Sequence, residues 1–390
     1  MSFCENIESI DFSRITKIII APSVPKFSEV WMLRINQILG KQALFIAMQG
    51  DFSKDKIEDL NLITLSKRSL FPERIDTYLK SRKIRSNLKT VLDRIPKNSI
   101  ILFHYLTTAV FFKDIIKKSP MKFFVYCHGH DVTWKRKIEN FPYINAHPSS
   151  YQKNVAGLIN YIRVIANSNA TKKKLKEVGF LDENIFINHL SVDTDEMKPT
   201  LKKYNKYVKI LYLGRLTDFK GPLETIKAFI IALDKGLKGE LNIVGDGPKM
   251  KRCKSIISSS KYKKNIFLHG AVNKEKAKKF FMEADIFTAH NQKSIKTNQE
   301  EAFGVSIIEA MAFGIPVVTG KSGGVIETVQ DKKTGILFKS GDLEAHSRAL
   351  LELANNIELR KFMGKNARKR AIDFFDIRNE KTKLLEILNN

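Results

Sequence analysis

Twelve short apolar runs, each closed by a turn and followed by a stretch of helical period, constrain this chain most, because that alternation lays strands and helices around parallel sheets. In the first half the runs predict strands near Thr16–Ala21, Ala43–Met48, Ser99–His104, Lys122–Cys127, Val164–Asn167 and Ile185–Asn188. A second series starts at Lys209–Leu213 and continues with Glu240–Val244, Asn265–His269, Ile286–His290, Pro316–Thr319 and Gly335–Phe338. Between them, Asp193–Tyr207 carries Pro199, several charges and little periodicity, as an inter-domain linker does. At 390 residues the chain exceeds the usual size of one hydrophobic core. The fold class that follows is α/β, with one Rossmann-like domain over 1–195 and a second over 196–370. The last residues read as helical. From Leu351 through Phe362 and Phe374 to Leu388 they offer apolar positions at helical spacing, and residues 371–390 are expected to pack back towards the first domain.

The motifs at the strand ends carry the chemistry. Glu301-Ala302-Phe303-Gly304-Val305 leads into an apolar helix, and Gly304 at its start lets a ligand approach free N–H groups at the positive end of the helix dipole. A phosphate suits that end. Glu309 is the one charge in Val305–Ala312, so its carboxylate is expected to be half buried and to need partners. Vicinal ribose hydroxyls would serve, and so would nearby backbone. Glu301 can reach a sugar attached to the phosphate or can simply be solvated; its neighbour Glu300 is the other acid at this place. Leu211-Tyr212-Leu213-Gly214-Arg215-Leu216-Thr217-Asp218-Phe219-Lys220-Gly221 is a strand end followed by a loop with two cations, which can neutralise a diphosphate without a metal or can be surface charge. Val244-Gly245-Asp246-Gly247-Pro248 repeats the small-residue turn. In the first half, Cys127-His128-Gly129-His130-Asp131 puts two imidazoles and a carboxylate at a strand end. A third and fourth metal ligand are missing nearby, so contact with an organic substrate is the favoured reading over metal. His104 reads as a core histidine.

Taken together these residues resemble the retaining family-four glycosyltransferases of the GT-B fold. Gly214-Arg215-Leu216, Lys220-Gly221, Val244 to Pro248, the Glu301 to Glu309 segment with Phe303-Gly304 inside it, Gly314-Ile315-Pro316-Val317-Val318, Gly323-Gly324, Glu327 and Gly335 stand in the family's order through residues 208–345. The first domain matches more loosely, through His128 to Asp131 and Ala166-Asn167-Ser168. The resemblance implies two domains facing across a cleft. It also implies a nucleotide-diphosphate sugar as co-substrate, UDP favoured over GDP, with no further cofactor, and hexosyl transfer without a metal. Its donor site would comprise Arg215, Lys220, Gly245, Glu301, Phe303, Gly304, Val305 and Glu309, with Arg215 and Lys220 on the diphosphate, Glu309 on the ribose, and Glu301 with the Phe303-Gly304 backbone on the sugar. His128, Glu301, Arg215 and Lys220 would be the catalytic group. The cations would stabilise charge growing on the departing diphosphate, and the acceptor's proton can pass to that leaving oxygen. Many relatives have Gly-Gly after the first strand, whereas this chain reads Ala21 to Glu29 without it. Ser28, Glu29, His130 and Asp131 are the acceptor-side candidates, and this loop with Asn298 to Glu301 is similar to transferases that build exported bacterial polysaccharides.

Charge bears on location and partners. The 67 Lys and Arg against 41 Asp and Glu give +26, spread as +11 over residues 1–200 and +15 over 201–390, which fits either compositional bias or an anionic partner. Residues 66–97 hold ten basic and three acidic side chains, with Ile84, Leu88, Val91, Leu92 and Ile95 at helical spacing. The stripe reads as core and the basic flank as a surface for anionic membrane, with a glycan or lipid-linked saccharide as acceptor. Three separated cysteines, no signal-peptide pattern and no long apolar run point to the cytoplasm, with peripheral contact at the inner face of the membrane as the accompanying expectation. Nucleic-acid binding would leave Glu301 and Glu309 unexplained, so no nucleic-acid partner is expected. A nucleotide-sugar epimerase or a polysaccharide synthase on the same scaffold is the enzymatic alternative.

Overall fold

The computed structural model describes residues 7–8, 10–24, 31–50, 61–66, 73–133, 150–200 and 206–390. Two separate sheets are present. In chain order the strands of the first are β1 (Lys17–Ala21), β2 (Ala43–Ala47), β3 (Asn61–Thr64), β4 (Ile100–His104), β5 (Lys122–Cys127), β6 (Arg163–Ala166) and β7 (Ile185–Ile187). Those of the second are β8 (Val208–Leu213), β9 (Gly239–Val244), β10 (Ile266–Gly270), β11 (Ile286–Ala289), β12 (Val317–Gly320) and β13 (Gly335–Phe338). The sheet orders are β3-β2-β1-β4-β5-β6-β7 and β10-β9-β8-β11-β12-β13, and the pairings in both are parallel.

The strands form where they do because both faces are covered, so near-continuous apolar runs are stable there. Ile18, Ile19, Ile20 and Ala21 have no exposed surface, nor have Leu44, Phe45, Ile46 and Ala47. Each large aliphatic side chain buried in this way contributes roughly 1.5–3 kcal/mol. The twelve expected strands are all present within a residue or two of their expected ends. β3 was missed: Asn61-Leu62-Ile63-Thr64 is a four-residue edge strand with a polar residue at each end, too short for a period.

The core links the two halves. One face of the first sheet, through Ile19, Phe45 and Tyr126, belongs to the same apolar cluster as the second domain, and Leu384, Ile387 and Leu388 of the last helix join it. Helix Ile357–Phe375 stays with the second domain and helix Ile377–Asn389 packs on helix Trp31–Leu39 of the first. The crossing therefore lies at Asp376, not at 371. There the chain runs beside the start of the linker: Val192 N–H donates to Phe375 O (2.8 Å) and Ile377 N–H to Val192 O (3.1 Å). Phe362 and Phe374 depart from the expected buried stripe, at 54% and 57% exposure. Met363, Ala367, Ala371 and Phe375 take the inward face at intervals of four, which leaves residues one position earlier on the outer flank.

Candidate active site

In each sheet the strand order reverses at one place, between β1 and β4 and between β8 and β11, and ligands of such sheets bind beyond the strand C-termini there. On the second sheet these termini lead into the Gly214–Gly221 and His290–Gly304 loops, which are tied together. Gln292 donates from its backbone to Phe219 O (2.9 Å) and from its side chain to Asp218 O (3.0 Å). Gly221, at φ 59°, lies so close to the next loop that a methyl group there would stand 2.1 Å from His290 O. Only glycine meets both demands.

Lys220 is the centre of this assembly. Its aliphatic stem runs beside Gly214, and its ammonium pairs with the Glu301 carboxylate at a side-chain exposure of 17% and 10% respectively. Arg215, next to Gly214, is exposed. Glu301 is followed within three residues by Gly304, whose φ of 96° turns the chain into helix Val305–Ala312. Ile307 N–H makes the first bond of that helix, to Gly304 O (3.0 Å), so the amides of Val305 and Ser306 lie ahead of the ladder, where an anion is stabilised. Glu309 is half-buried, and burial pushes its carboxyl up to about 7 against the pull of Arg34, Lys274 and Lys220. Lys220, Glu301, Gly304 and Glu309 thus belong to one locale, and Arg215 stands exposed on the same loop as Lys220.

One expected donor contact, Gly245, has another occupation, and Phe303 keeps only the backbone role expected of it. Gly245 is demanded by packing, since a methyl there would fall 2.0 Å from Gly214 O, and its N–H donates to Gly270 O (2.8 Å). The Phe303 ring is 1% exposed and stacks on His189 (5.3 Å) and edge-on to Phe375 (5.5 Å), which leaves its backbone rather than its ring to face a sugar.

From the first sheet, the loop after β5 meets this locale directly. A methyl at Gly129, which has φ 105°, would lie 2.5 Å from the Ala302 Cβ. His128 lies flat against Tyr126 (5.0 Å, 4° between planes) and is hydrogen-bonded to the buried His104, Nε2 to Nδ1 at 3.0 Å. Burial pushes both imidazoles down, His104 to about 3, and His104 further disfavours charge on His128, so both are neutral at pH 7. Asp131 corrects an expectation. It is fully buried, and its carboxylate accepts from the amides of His128, Gly129 and Leu106, each at 3.0 Å. It shapes the turn that presents His128 and has no surface for an acceptor. His130 is exposed, and Ser28 and Glu29 lie outside the described residues.

Three further residues were not singled out for a role in the site by the sequence reading. Glu327 accepts from Asn169 N–H and Nδ2 (both 2.9 Å) and from Ala170 N–H (3.1 Å), capping helix Asn169–Lys176 of the opposite domain, with His189 at 3.6 Å. Burial by itself would raise that carboxyl; the bonds from His189, Asn169 and Ala170 outweigh it and hold it below its ordinary range. Arg34 donates to Ser191 O and bears electrostatically on Glu309 and Glu380. Its one available signal was to be a lone cation in the apolar helix Trp31–Leu39. His189 had no signal beyond its position before the linker. The basic segment 66–97 is partly outside the described residues; in the remainder Ile84, Leu88, Val91, Leu92 and Ile95 are core, and Arg82, Lys83, Lys89, Arg94 and Lys97 are exposed. Among the described residues no helix is long and apolar enough to cross a membrane.

Comparison with known proteins follows the same division. The family model for glycosyl transferases group 1 matches residues 193–370. The capsular polysaccharide biosynthesis glycosyltransferase CapM of Staphylococcus aureus is 29% identical over 218 residues, 55% of this chain and 54% of that protein. The amylovoran biosynthesis glycosyltransferase AmsK of Erwinia amylovora is 27% identical over 228 residues, 58% of this chain and 54% of its own length. The chain thus spans about half the length of these curated relatives. Among solved structures, Anabaena HepE in complex with UDP and glucose superposes with a TM-score of 0.78 at 17% identity, covering 96% of this chain and 99% of that one. Sucrose-phosphate synthase from Thermosynechococcus elongatus gives 0.78 at 16% identity, covering 95% and 98%. The two-sheet architecture is therefore the expected GT-B fold.

Proposed function

We propose, from the premise that residues 193–370 are a glycosyl transferases group 1 domain, that this chain moves a sugar from a nucleotide-diphosphate donor to a hydroxyl of a glycan or lipid-linked saccharide, in the building of a cell-surface polysaccharide. The observation that carries the reading is the assembly of Lys220, Glu301, the Gly304 helix start and Glu309, faced by His128 across the Gly129–Ala302 contact. Lys220 and Arg215 hold the two phosphoryl groups with the Val305 and Ser306 amides. Donor binding releases Lys220 from Glu301, which turns to the sugar hydroxyls. Glu309 takes the ribose. The neutral His128 lines the reaction centre as a hydrogen-bonding group.

Charge then grows on the leaving diphosphate as the glycosidic bond lengthens, and the two cations stabilise it more in the transition state than before it. Transfer with retention follows, with the acceptor proton passing to the departing oxygen. UDP is favoured as the donor's nucleotide, as the structurally similar HepE forms a complex with UDP and glucose. The names of CapM and AmsK support polysaccharide biosynthesis as the setting. Membrane contact, if the acceptor is lipid-linked, would be electrostatic through Arg82, Lys83, Lys89 and Lys97, because the apolar stripe beneath them is committed to the core. Thermal protection by UDP and GDP, then by their hexose derivatives, tests the reading. A shift with UDP and turnover of a UDP-hexose are expected, and no shift with any nucleoside diphosphate overturns it.

A further inference from the structure

Beside the proposed reaction centre, both domains line a hollow of about 510 Å³, within the roughly 300–1,000 Å³ range of small-molecule sites. The first domain contributes Val132, Thr133, Lys173 and Lys174 of helix Asn169–Lys176 and Glu177 just past its end; the second contributes Lys293, Asn298, Glu300 and Gly323. Its position follows from the chain. Thr133 closes the His128 turn by donating from Oγ1 to Gly129 O (2.9 Å), and Glu300 precedes the Glu301 that pairs with Lys220. The hollow therefore adjoins both the His128 turn and the loop that carries Glu301.

Its charge is sorted. Helix Asn169–Lys176 carries four lysines, and Asp182 takes two of them, Lys172 at 2.8 Å and Lys176 at 2.7 Å, on the flank away from the hollow. Lys174 faces the hollow and reaches Glu300 at 3.8 Å across the domain boundary. Lys173 and Lys293 are exposed and form no ion pair among the described residues. Lys293 also stands close enough to Lys174 to oppose its charge, adding to the effect of burial. Three lysines from two domains thus line the hollow together with two acids, Glu177 and Glu300. The loop bearing Lys293 is held in shape: Ser294 N–H donates to Gln299 O and Asn298 N–H to Ser294 O, both at 2.8 Å, with Asn298 at φ 57°. Like charges brought together on fixed elements are stabilised by an anion between them.

We propose that the acceptor is an anionic saccharide, whose phosphate or carboxylate is held in this hollow by Lys173, Lys174 and Lys293 while its hydroxyl faces the donor sugar. The inference rests on the glycosyltransferase reading and names the acceptor class for that site. Titrating the full chain with inorganic pyrophosphate and with glucuronate, each with and without saturating UDP, separates the two anion sources. The variant is Lys173→Gln/Lys293→Gln, two exposed positions with no assigned part in donor binding, and its thermal melt reports folding. One of the two probes is expected to bind the wild-type chain in the presence of UDP, and the double variant to bind it about tenfold more weakly or worse, with UDP affinity unchanged. Pyrophosphate alone identifies a phosphate-bearing acceptor, glucuronate alone an acidic sugar. Equal affinity in both proteins, or no binding of either probe to wild type, overturns the proposal. Failure of UDP to bind would instead sink the parent reading, and the titrations without UDP would still decide the hollow.

Discussion

The two sides of the cleft hold polar groups by different means. On the second domain the loops carry opposite charges in contact, Lys220 with Glu301 and Lys249 with Asp218, at positions where a ligand can exchange for one partner. On the first domain the groups are buried and bonded within the protein: His104 and His128 are hydrogen-bonded to each other, and Asp131 accepts from three backbone amides. The difference is what the proposed charged donor and uncharged reacting hydroxyl would require. A diphosphate needs cations kept soluble and aimed, whereas a hydroxyl poised for attack needs a dry wall with fixed hydrogen-bonding positions.

That contrast can be broken by mutation. Lys220→Ala should cost the most, about 10²–10³-fold in donor turnover with the fold retained, because it removes a charge that acts on the leaving group. Steady-state kinetics on UDP-hexose with a thermal melt reads both, and near wild-type turnover would remove its role. His128→Ala should lower kcat by about ten- to a hundredfold, the worth of one buried hydrogen bond, while the Kd for UDP stays within twofold. Equal losses in both would move His128 to the donor side.

Glu309 sharpens the comparison through pH. Its carboxyl, raised to about 7, is protonated below that value in the free protein, whereas on the proposed reading the ionised form accepts hydrogen bonds from both ribose hydroxyls. UDP affinity should therefore rise with pH from 6 to about 8 and fall by about tenfold per unit below 7, and Glu309→Gln should flatten the curve. Calorimetry in buffers of different ionisation enthalpy measures the released proton. The smallest effect is expected at the domain boundary. Glu327→Gln keeps the shape of the cap on helix Asn169–Lys176 but loses its charge, and should cost on the order of 1 kcal/mol in thermal stability, with modest slowing of turnover.

The parts of this site that were legible are those whose spacing is local. Gly214 to Gly221 and Glu301 to Glu309 each occupy one strand-end loop or helix start, so side chains that act together are close in sequence. The strands were legible because burial on both faces leaves unbroken apolar runs, and β3 escaped because an edge of four residues does not. Glu327 was visible only as a member of a motif. Its partners Asn169 and Ala170 are 158 and 157 positions away, and no periodicity spans that interval. Gly245 and Asp131 were assigned to ligands because glycine and aspartate at a strand end serve chain packing and substrate equally well. Only the distances to Gly214 O and to three amides separate those uses.

The central claim is a geometric one about phosphate, and a crystal structure of the chain with UDP tests it most directly. The account predicts the diphosphate between the Lys220 ammonium and the Val305 and Ser306 amides, with the ribose hydroxyls on Glu309 and the Lys220–Glu301 pair opened. UDP bound elsewhere, or bound with Lys220 still paired to Glu301, would contradict it.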